Sequence, residues 1–217
     1  MNAQRPEPTT LVGQFISLEP LTAQLLPDLY RAIAQPVVFA GGFAGGPSEL
    51  RTDVESFTDW ATRYYQQPGL AFAVRLRGGS HDGELVGATG LGDLDLFNES
   101  AQLGWTAYDP RVWGTAVNVE AKLMLFGLAF DSGFGRVMIQ ADALNARSRA
   151  AILGLGATFE GVLRRNRQRP DGTWRDSAIH AVVREDWPGV RAGLLTRLDR
   201  FNGQPVGYRI RELAAVA

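Results

Sequence analysis

Gln102-Leu103-Gly104-Trp105-Thr106-Ala107-Tyr108-Asp109-Pro110-Arg111-Val112-Trp113-Gly114-Thr115-Ala116 is the stretch on which the reading of this chain turns. Up to Tyr108 it is rich in aromatic, β-branched and small apolar residues and reads as a strand. Asp109-Pro110 ends that strand. Arg111–Ala116 then forms a tight loop leading into a helix over Gly114–Phe130, whose Val117, Ala121, Leu125, Leu128 and Ala129 recur at helical spacing. A helix N-terminus leaves backbone N–H groups without intrahelical partners and carries partial positive charge. A glycine at that point lets the backbone approach an anion with no side chain between them. The loop is therefore a candidate pyrophosphate site. A glycine before a helix is also a common turn, so the loop alone leaves both readings open.

Outward from this stretch, the chain alternates between two periods. Upstream, residues 1–10 form a polar, proline-bearing lead-in, Val12–Leu18 a strand, and Ala23–Ala34 an amphipathic helix. A tandem repeat, Phe39-Ala40-Gly41-Gly42-Phe43-Ala44-Gly45-Gly46, is either a lid over an apolar ligand or a plain loop with two anchoring aromatics. A helix beginning at Ser48 or Thr52 runs through Phe57, Trp60, Ala61 and Tyr64 to Pro68-Gly69. Ala71–Leu76, Glu84–Gly90 and Ala101–Tyr108 are then three strands on short connections, an antiparallel meander. Downstream, Gly133 closes the long helix. It is followed by a strand (Val137–Ala141), a helix (Arg147–Leu155), two strands (Ala157–Leu163 and Ser177–Val183) around an Asp171-Gly172 turn, and a helix (Trp187–Leu198). This order predicts an α/β (α+β) domain with a mixed sheet over residues 11–200, leaving 201–217 as a tail of unassigned structure.

Composition narrows the class. The 217 residues are 45% hydrophobic and 21% charged, with a net charge of −1, a balance suited to a folded domain. It argues against bulk electrostatic binding to nucleic acid or a membrane surface. There is no cysteine and only His81 and His180 as histidines, so thiolate chemistry, disulfides and a Cys/His metal centre are not expected. No basic-then-apolar leader opens the chain and no run of about 18 apolar residues occurs, which makes the cytoplasm the default location. Gly-x-x-x-x-Gly-Lys-(Ser/Thr) and Gly-x-Ser-x-Gly are missing, and Gly90-Leu91-Gly92 lacks the rest of a dinucleotide fingerprint.

The ordered elements around the loop resemble the GCN5-related N-acetyltransferase (GNAT) superfamily, and within it the RimJ/RimL-like branch. The family's Arg/Gln-x-x-Gly-x-Gly/Ala loop is matched by Arg111, Gly114 and Ala116; the branch's Asp-x-x-Asn-x-x-Ser run by Asp142, Asn145 and Ser148. Ala151–Ala157, Glu160–Arg164, Arg175-Asp176-Ser177 and Glu185–Val190 match later elements in the same order, so the likeness spans roughly Val12 to Leu198.

The resemblance implies direct acetyl transfer from acetyl-CoA to a primary amine, a protein N-terminus or a small molecule, within a ternary complex and without a metal. It implies that the family's fourth and fifth strands, here Leu103–Tyr108 and Val137–Ala141, splay apart. Backbone groups of Leu103, Gly104, Trp105 and Thr106 would pair with the pantetheine arm, and their N–H groups would face the oxyanion formed on amine attack. Arg111, Val112, Trp113, Gly114, Thr115, Ala116, Val117 and Asn118 would cradle the pyrophosphate. Asn145, Ser148 and Arg149 would line the far side, with Ser148 protonating the departing thiolate. Ile152 occupies the position where many members carry a tyrosine for that task. The base is assigned to Asp95, by register from Leu103-Gly104; a glutamate common just before that pair is replaced by Gln102. Glu120 is read as a solvated face residue, and Asn145 also as the cap of its helix.

Other features carry two readings each. Trp105 and Trp113 are walls of the site or stacking platforms, and His180 is a packed strand residue. Arg164, Arg165, Arg167, Arg169 and Arg175 are a solvated hairpin or a surface for an acidic substrate or the 3′-phosphate of CoA. A CoA-binding protein without turnover is the alternative to the enzyme, and nothing in the sequence decides between a monomer and a homo-oligomer.

Overall fold

The computed structural model describes residues 2–67 and 69–209. Its strands are β1 (Leu11–Val12), β2 (Ile16–Pro20), β3 (Leu70–Leu76), β4 (Leu85–Asp95), β5 (Ser100–Tyr108), β6 (Arg136–Asp142), β7 (Thr158–Gln168) and β8 (Trp174–Val183). They form one sheet in the order β1-β2-β3-β4-β5-β6-β8-β7. Every pairing is antiparallel except β5 with β6, which gives the mixed, mostly antiparallel sheet expected. The last strand in sequence, β8, lies inside the sheet, and β7 takes the edge.

Helices cover both faces. The helices α1 (Leu26–Ile33), α2 (Pro36–Ala40) and α3 (Val54–Gln66) gather Leu29, Ile33, Phe39, Phe57 and Trp60 into one core. On the other face, α4 (Ala116–Asp131) and α6 (Trp187–Asp199) enclose Phe15, Phe72, Leu91, Phe126 and Phe134 in a larger core; between β6 and β7 lies α5 (Ala146–Gly154). Each such fully buried aromatic or aliphatic side chain contributes roughly 1.5–3 kcal/mol. α4 is buried on several sides, so its sequence is apolar nearly all round.

Two expectations change. The segment read as one strand, Val12–Leu18, is a hairpin: Gly13 N–H donates to Ile16 O at 2.9 Å and Leu11 pairs with Leu18. The cause is Glu120 on α4, which is buried, not solvated. Its carboxylate accepts the backbone N–H groups of Gln14 at 2.6 Å and of Phe15 and Ile16 at 2.8 Å each. A Cβ on Gly13 would stand 2.5 Å from Glu120 Cδ, so only glycine lets the turn close on the carboxylate. The helix expected to start at Ser48 or Thr52 is capped by Asp53, whose side chain accepts the Ser56 N–H at 2.8 Å. Its expected stop at Pro68 lies outside the described residues.

Beyond α6 the chain stays packed as far as it is described. Phe201 packs edge-on to Phe15, Val206 is buried, and Arg209 N–H donates to Arg111 O at 2.8 Å. The first part of the expected tail therefore lies against the Arg111–Ala116 loop; positions 210–217 lie outside the described residues. No helix among the described residues is long and apolar enough to cross a membrane.

Candidate active site

The site begins where a pairing stops. β5 and β6 run parallel through Ser100–Arg136, Ala101–Val137 and Gln102–Met138, and no rung follows. Gln102 and Gln140 mark this apex, with Gln140 Nε2 donating to Gln102 Oε1 at 2.7 Å. Beyond it the strands diverge. On its other edge β5 pairs with β4 at Leu103–Leu91 and Gly104–Gly90, then resumes at Ala107–Ala88, so Trp105 and Thr106 together oppose Thr89. This is a β-bulge, with Trp105 in the left-handed region at φ +49°. Bulges bend a strand and re-aim its side chains, and a bulky non-glycine residue in that region is uncommon.

The gap opens into a cleft of about 370 Å³, within the usual range of roughly 300–1,000 Å³ for small-molecule sites. It brings together Leu103, Gly104, Trp105, Thr106, Val112, Trp113, Gly114, Asn118, Asn145 and Ser148 from the sequence-predicted set. Val38, the Gly41–Ala44 turn and Tyr64 supply the opposite wall. Of the tandem repeat, Phe39 is core and Phe43 is wall.

The loop before α4 makes a tight turn into the helix N-terminus. Pro110–Val112 makes one 3₁₀ turn and Gly114 takes φ +74°, a conformation glycine adopts without steric cost. Thr115 caps the helix: its hydroxyl donates to Val112 O at 2.6 Å and stands 3.4 Å from the Val117 N–H. Ala116 and Val117 have their side chains in the core, so only their backbone is available to a ligand. Arg111 is used differently from the expectation. Its guanidinium grips the buried Asp109 through Nη2–Oδ2 at 2.7 Å and two Nε contacts at 3.0 and 3.1 Å. It also lies 3.9 Å from the Tyr208 ring centroid. The Asp109 hydrogen bonds push its pKa up. Arg111 thus holds the loop's shape and is absent from the cleft lining.

Across the gap, Asn145 caps α5 by accepting the Ser148 N–H at 2.9 Å, and its Nδ2 donates to Gly41 O. The capping role read from sequence is present, and the same side chain fastens the glycine-rich turn to α5. Arg147 stacks over Trp113 at 3.8 Å. Ser148 and Ile152 both line the cleft. Arg149 turns aside to donate to Ala143 O at 3.2 Å and is not part of the lining. Asp95 is not brought to the cleft either. It ends β4, and its exposed carboxylate accepts Asn98 N–H at 2.9 Å and Asn98 Nδ2 at 2.6 Å. Those bonds lower its pKa, which makes it a weaker base.

Lys122 is a residue the sequence reading did not single out. It lines the cleft from α4, is buried, and donates from Nζ to Thr106 Oγ1 at 2.7 Å and Thr89 Oγ1 at 3.0 Å. The two hydroxyls are 2.8 Å apart, so three polar groups tie helix to bulge. No carboxylate pairs with Lys122 among the described residues, and burial lowers its pKa to about 7. A signal was available: it is the chain's sole lysine, beside Ala121 on the most apolar helix. Tyr64 and Phe43 form an aromatic wall, edge-on to each other at 5.5 Å, backed by the buried Trp60, which stacks on Tyr64 at 5.0 Å. His180 is packed as expected, fully buried in β8 against Phe159.

Comparison with known proteins fits this geometry. The family model described as Acetyltransferase (GNAT) domain matches residues 16–158. A Bacillus subtilis (strain 168) protein named as a ribosomal N-acetyltransferase, YdaF, is 29% identical over 175 residues, covering 79% of this chain and 91% of that protein. A solved acetyltransferase structure from T. thermophilus is 33% identical with a TM-score of 0.79, covering 90% of this chain and all of that one. The Mycobacterium smegmatis RimJ structure in complex with CoA-disulfide shares the fold, at 22% identity and a TM-score of 0.69 over 89% of this chain and 96% of that one.

Proposed function

Given that the chain belongs to the GNAT acetyltransferase family, and so is an acetyl-CoA-dependent N-acetyltransferase, we propose that it moves the acetyl group directly to a primary amine held in the β5–β6 cleft. The observation that carries this reading is the end of pairing at Gln102–Met138, which leaves one edge of Leu103–Thr106 without a strand partner. An extended pantetheine arm with its amides can take the place of that strand. Strand edges otherwise demand a partner for their N–H and C=O groups.

The chain's own residues divide the work. The Gly114 turn and the first N–H groups of α4 receive the pyrophosphate, where the helix terminus favours negative charge. The bulge at Trp105–Thr106 aims backbone N–H groups at the carbonyl oxygen on which charge develops. Asn145 holds the glycine-rich turn over the cleft, excluding water and fixing the two substrates relative to each other. Ser148, beside that cap, is the proposed donor of the proton to the leaving thiolate. Asp95 lies outside the cleft and Gln102 cannot accept a proton, so neither serves as base; water is the proposed acceptor of the amine's proton.

The test combines binding with turnover. Calorimetric titration should find an acetyl-CoA site that Gly114→Asp weakens at least about tenfold, because a carboxylate then stands where the pyrophosphate lies. Thiol release over a panel of peptide N-termini and small amines should rise with at least one acceptor. Equal affinity of the two proteins would remove the pyrophosphate assignment; cofactor binding with no responsive amine would return the non-catalytic reading.

A further inference from the structure

Of the five arginines around the Asp171-Gly172 turn, four have distinct surroundings. Arg165 stacks on Trp174 at 4.3 Å, and Arg169 pairs with Asp142. Arg167 and Arg175 line the cleft instead. The β7–β8 register explains why. Pairing passes from Leu163–Ser177 directly to Arg167–Arg175, so residues 164–166 bulge opposite Asp176, whose Oδ1 accepts the Arg165 N–H at 2.7 Å. The bulge sets two cations directly opposite each other on neighbouring strands, an arrangement that destabilises a sheet. Neither forms an ion pair among the described residues, and the nearby Asp142 is already taken by Arg169. Arg175 Nε is buried without a hydrogen-bond partner. Burial lowers its pKa, opposed in part by the charge of Asp142 and reinforced by the repulsion of Arg167, yet an arginine stays charged at neutral pH.

A half-buried guanidinium whose Nε has no hydrogen-bond partner, beside a second cation and on the wall of a cleft, is a local cost that an anionic ligand removes. We propose that Arg167 and Arg175 bind a carboxylate or phosphate carried by the acceptor amine, so that the enzyme selects anionic acceptors. This rests on the acetyltransferase reading and adds the acceptor's charge to it. The placement separates this anion from the cofactor's pyrophosphate. Tyr64, whose ionisation the two arginines influence, belongs to α3, whereas the Gly114 turn opens α4 on the opposite face of the sheet. Tyr64 is kept neutral by burial, so its hydroxyl adds a donor and no opposing charge. The aromatic wall around it suits an apolar portion next to the anion. Pro170 closes this end against the glycine-rich turn: a Cβ on Gly45 would meet Pro170 Cδ at 2.9 Å.

The test uses peptide amides that differ in one group: Ser-Glu-Phe, Ser-phosphoserine-Phe, Ser-Gln-Phe and Ser-Lys-Phe. Thiol release gives kcat/KM for each, and calorimetry of the N-acetylated peptides on the CoA-saturated protein gives affinity independently of turnover. The wild type should favour an anionic peptide over Ser-Gln-Phe by about tenfold or more in both readouts, with Ser-Lys-Phe weakest. The Glu and phosphoserine arms tell carboxylate from phosphate. Arg167→Gln, an exposed change on an edge strand, and Arg175→Gln should each cut the preference to about threefold or less with unchanged acetyl-CoA affinity; Arg175→Lys should keep part of it. Equal values for the anionic and neutral peptides overturn the proposal. So does a loss of acetyl-CoA affinity in the variants at unchanged preference, which would give these arginines to the cofactor's phosphates. If the wild type binds no acetyl-CoA, the acetyltransferase reading fails; the calorimetric arm, run without cofactor, still accepts or rejects the anion site.

Discussion

Replacing Lys122 by methionine should make the protein more stable, by an amount that depends on pH. Lys122 is buried against two threonine hydroxyls with no carboxylate, and its pKa falls from 10.5 to about 7 for that reason alone. An unfolded chain keeps the proton until about pH 10.5, whereas the folded one sheds it near pH 7. Between those values the unfolded state binds more protons, so stability rises with pH. One pH unit across that window is worth about 1.4 kcal/mol. Below pH 7 the penalty is present in full, with a ceiling of roughly 5 kcal/mol, and by pH 9 it has fallen to about 2 kcal/mol. Methionine matches lysine in length and carries no charge, and Thr89 and Thr106 remain bonded to each other at 2.8 Å, so no hydroxyl is orphaned. Urea denaturation of both proteins at pH 6, 7, 8 and 9 measures the difference. The variant's advantage should be largest at pH 6 and shrink by roughly 2–3 kcal/mol by pH 9. Ionisation of the buried tyrosines is avoided by stopping there. A difference constant within about 0.5 kcal/mol across the range would refute the reasoning, since Lys122 would then keep its proton in both states.

Two further outcomes follow from the same structure. Glu120→Ala strips the acceptor from three N–H groups, at Gln14, Phe15 and Ile16, and should cost about 3–5 kcal/mol in urea denaturation, with Glu120→Gln losing less; a loss below about 1 kcal/mol would mean water reaches those groups. Ser148→Ala should lower kcat by tenfold or more while acetyl-CoA affinity measured by calorimetry changes little, because the Asn145 cap bonds the Ser148 backbone and survives the change. Unchanged kcat would leave Ser148 a first-turn residue only.

The local sequence determined the elements and the loop. Helical spacing marked α4, Asp109-Pro110 ended β5, and the Arg111–Ala116 pattern marked the tight turn between them, because each of these depends on residues near one another in the chain. Asn145 as a cap was legible for the same reason. Partners far apart in sequence were not. Glu120 looked like a surface residue because its partners lie over a hundred positions away. Arg111 matched the motif, yet its side chain answers to Asp109 and to Tyr208, in the segment left as a tail. Lys122 acquired its depressed pKa only when packing against β4 and β5 buried it beside two threonines. The division of the arginine cluster into paired, stacked and cleft-facing members required the β7 bulge, which no periodicity records. Tertiary packing decided which charges lost their water. That loss of solvation, which local pattern does not encode, turns a glutamate into a buried clamp and an arginine or a lysine into part of the cleft.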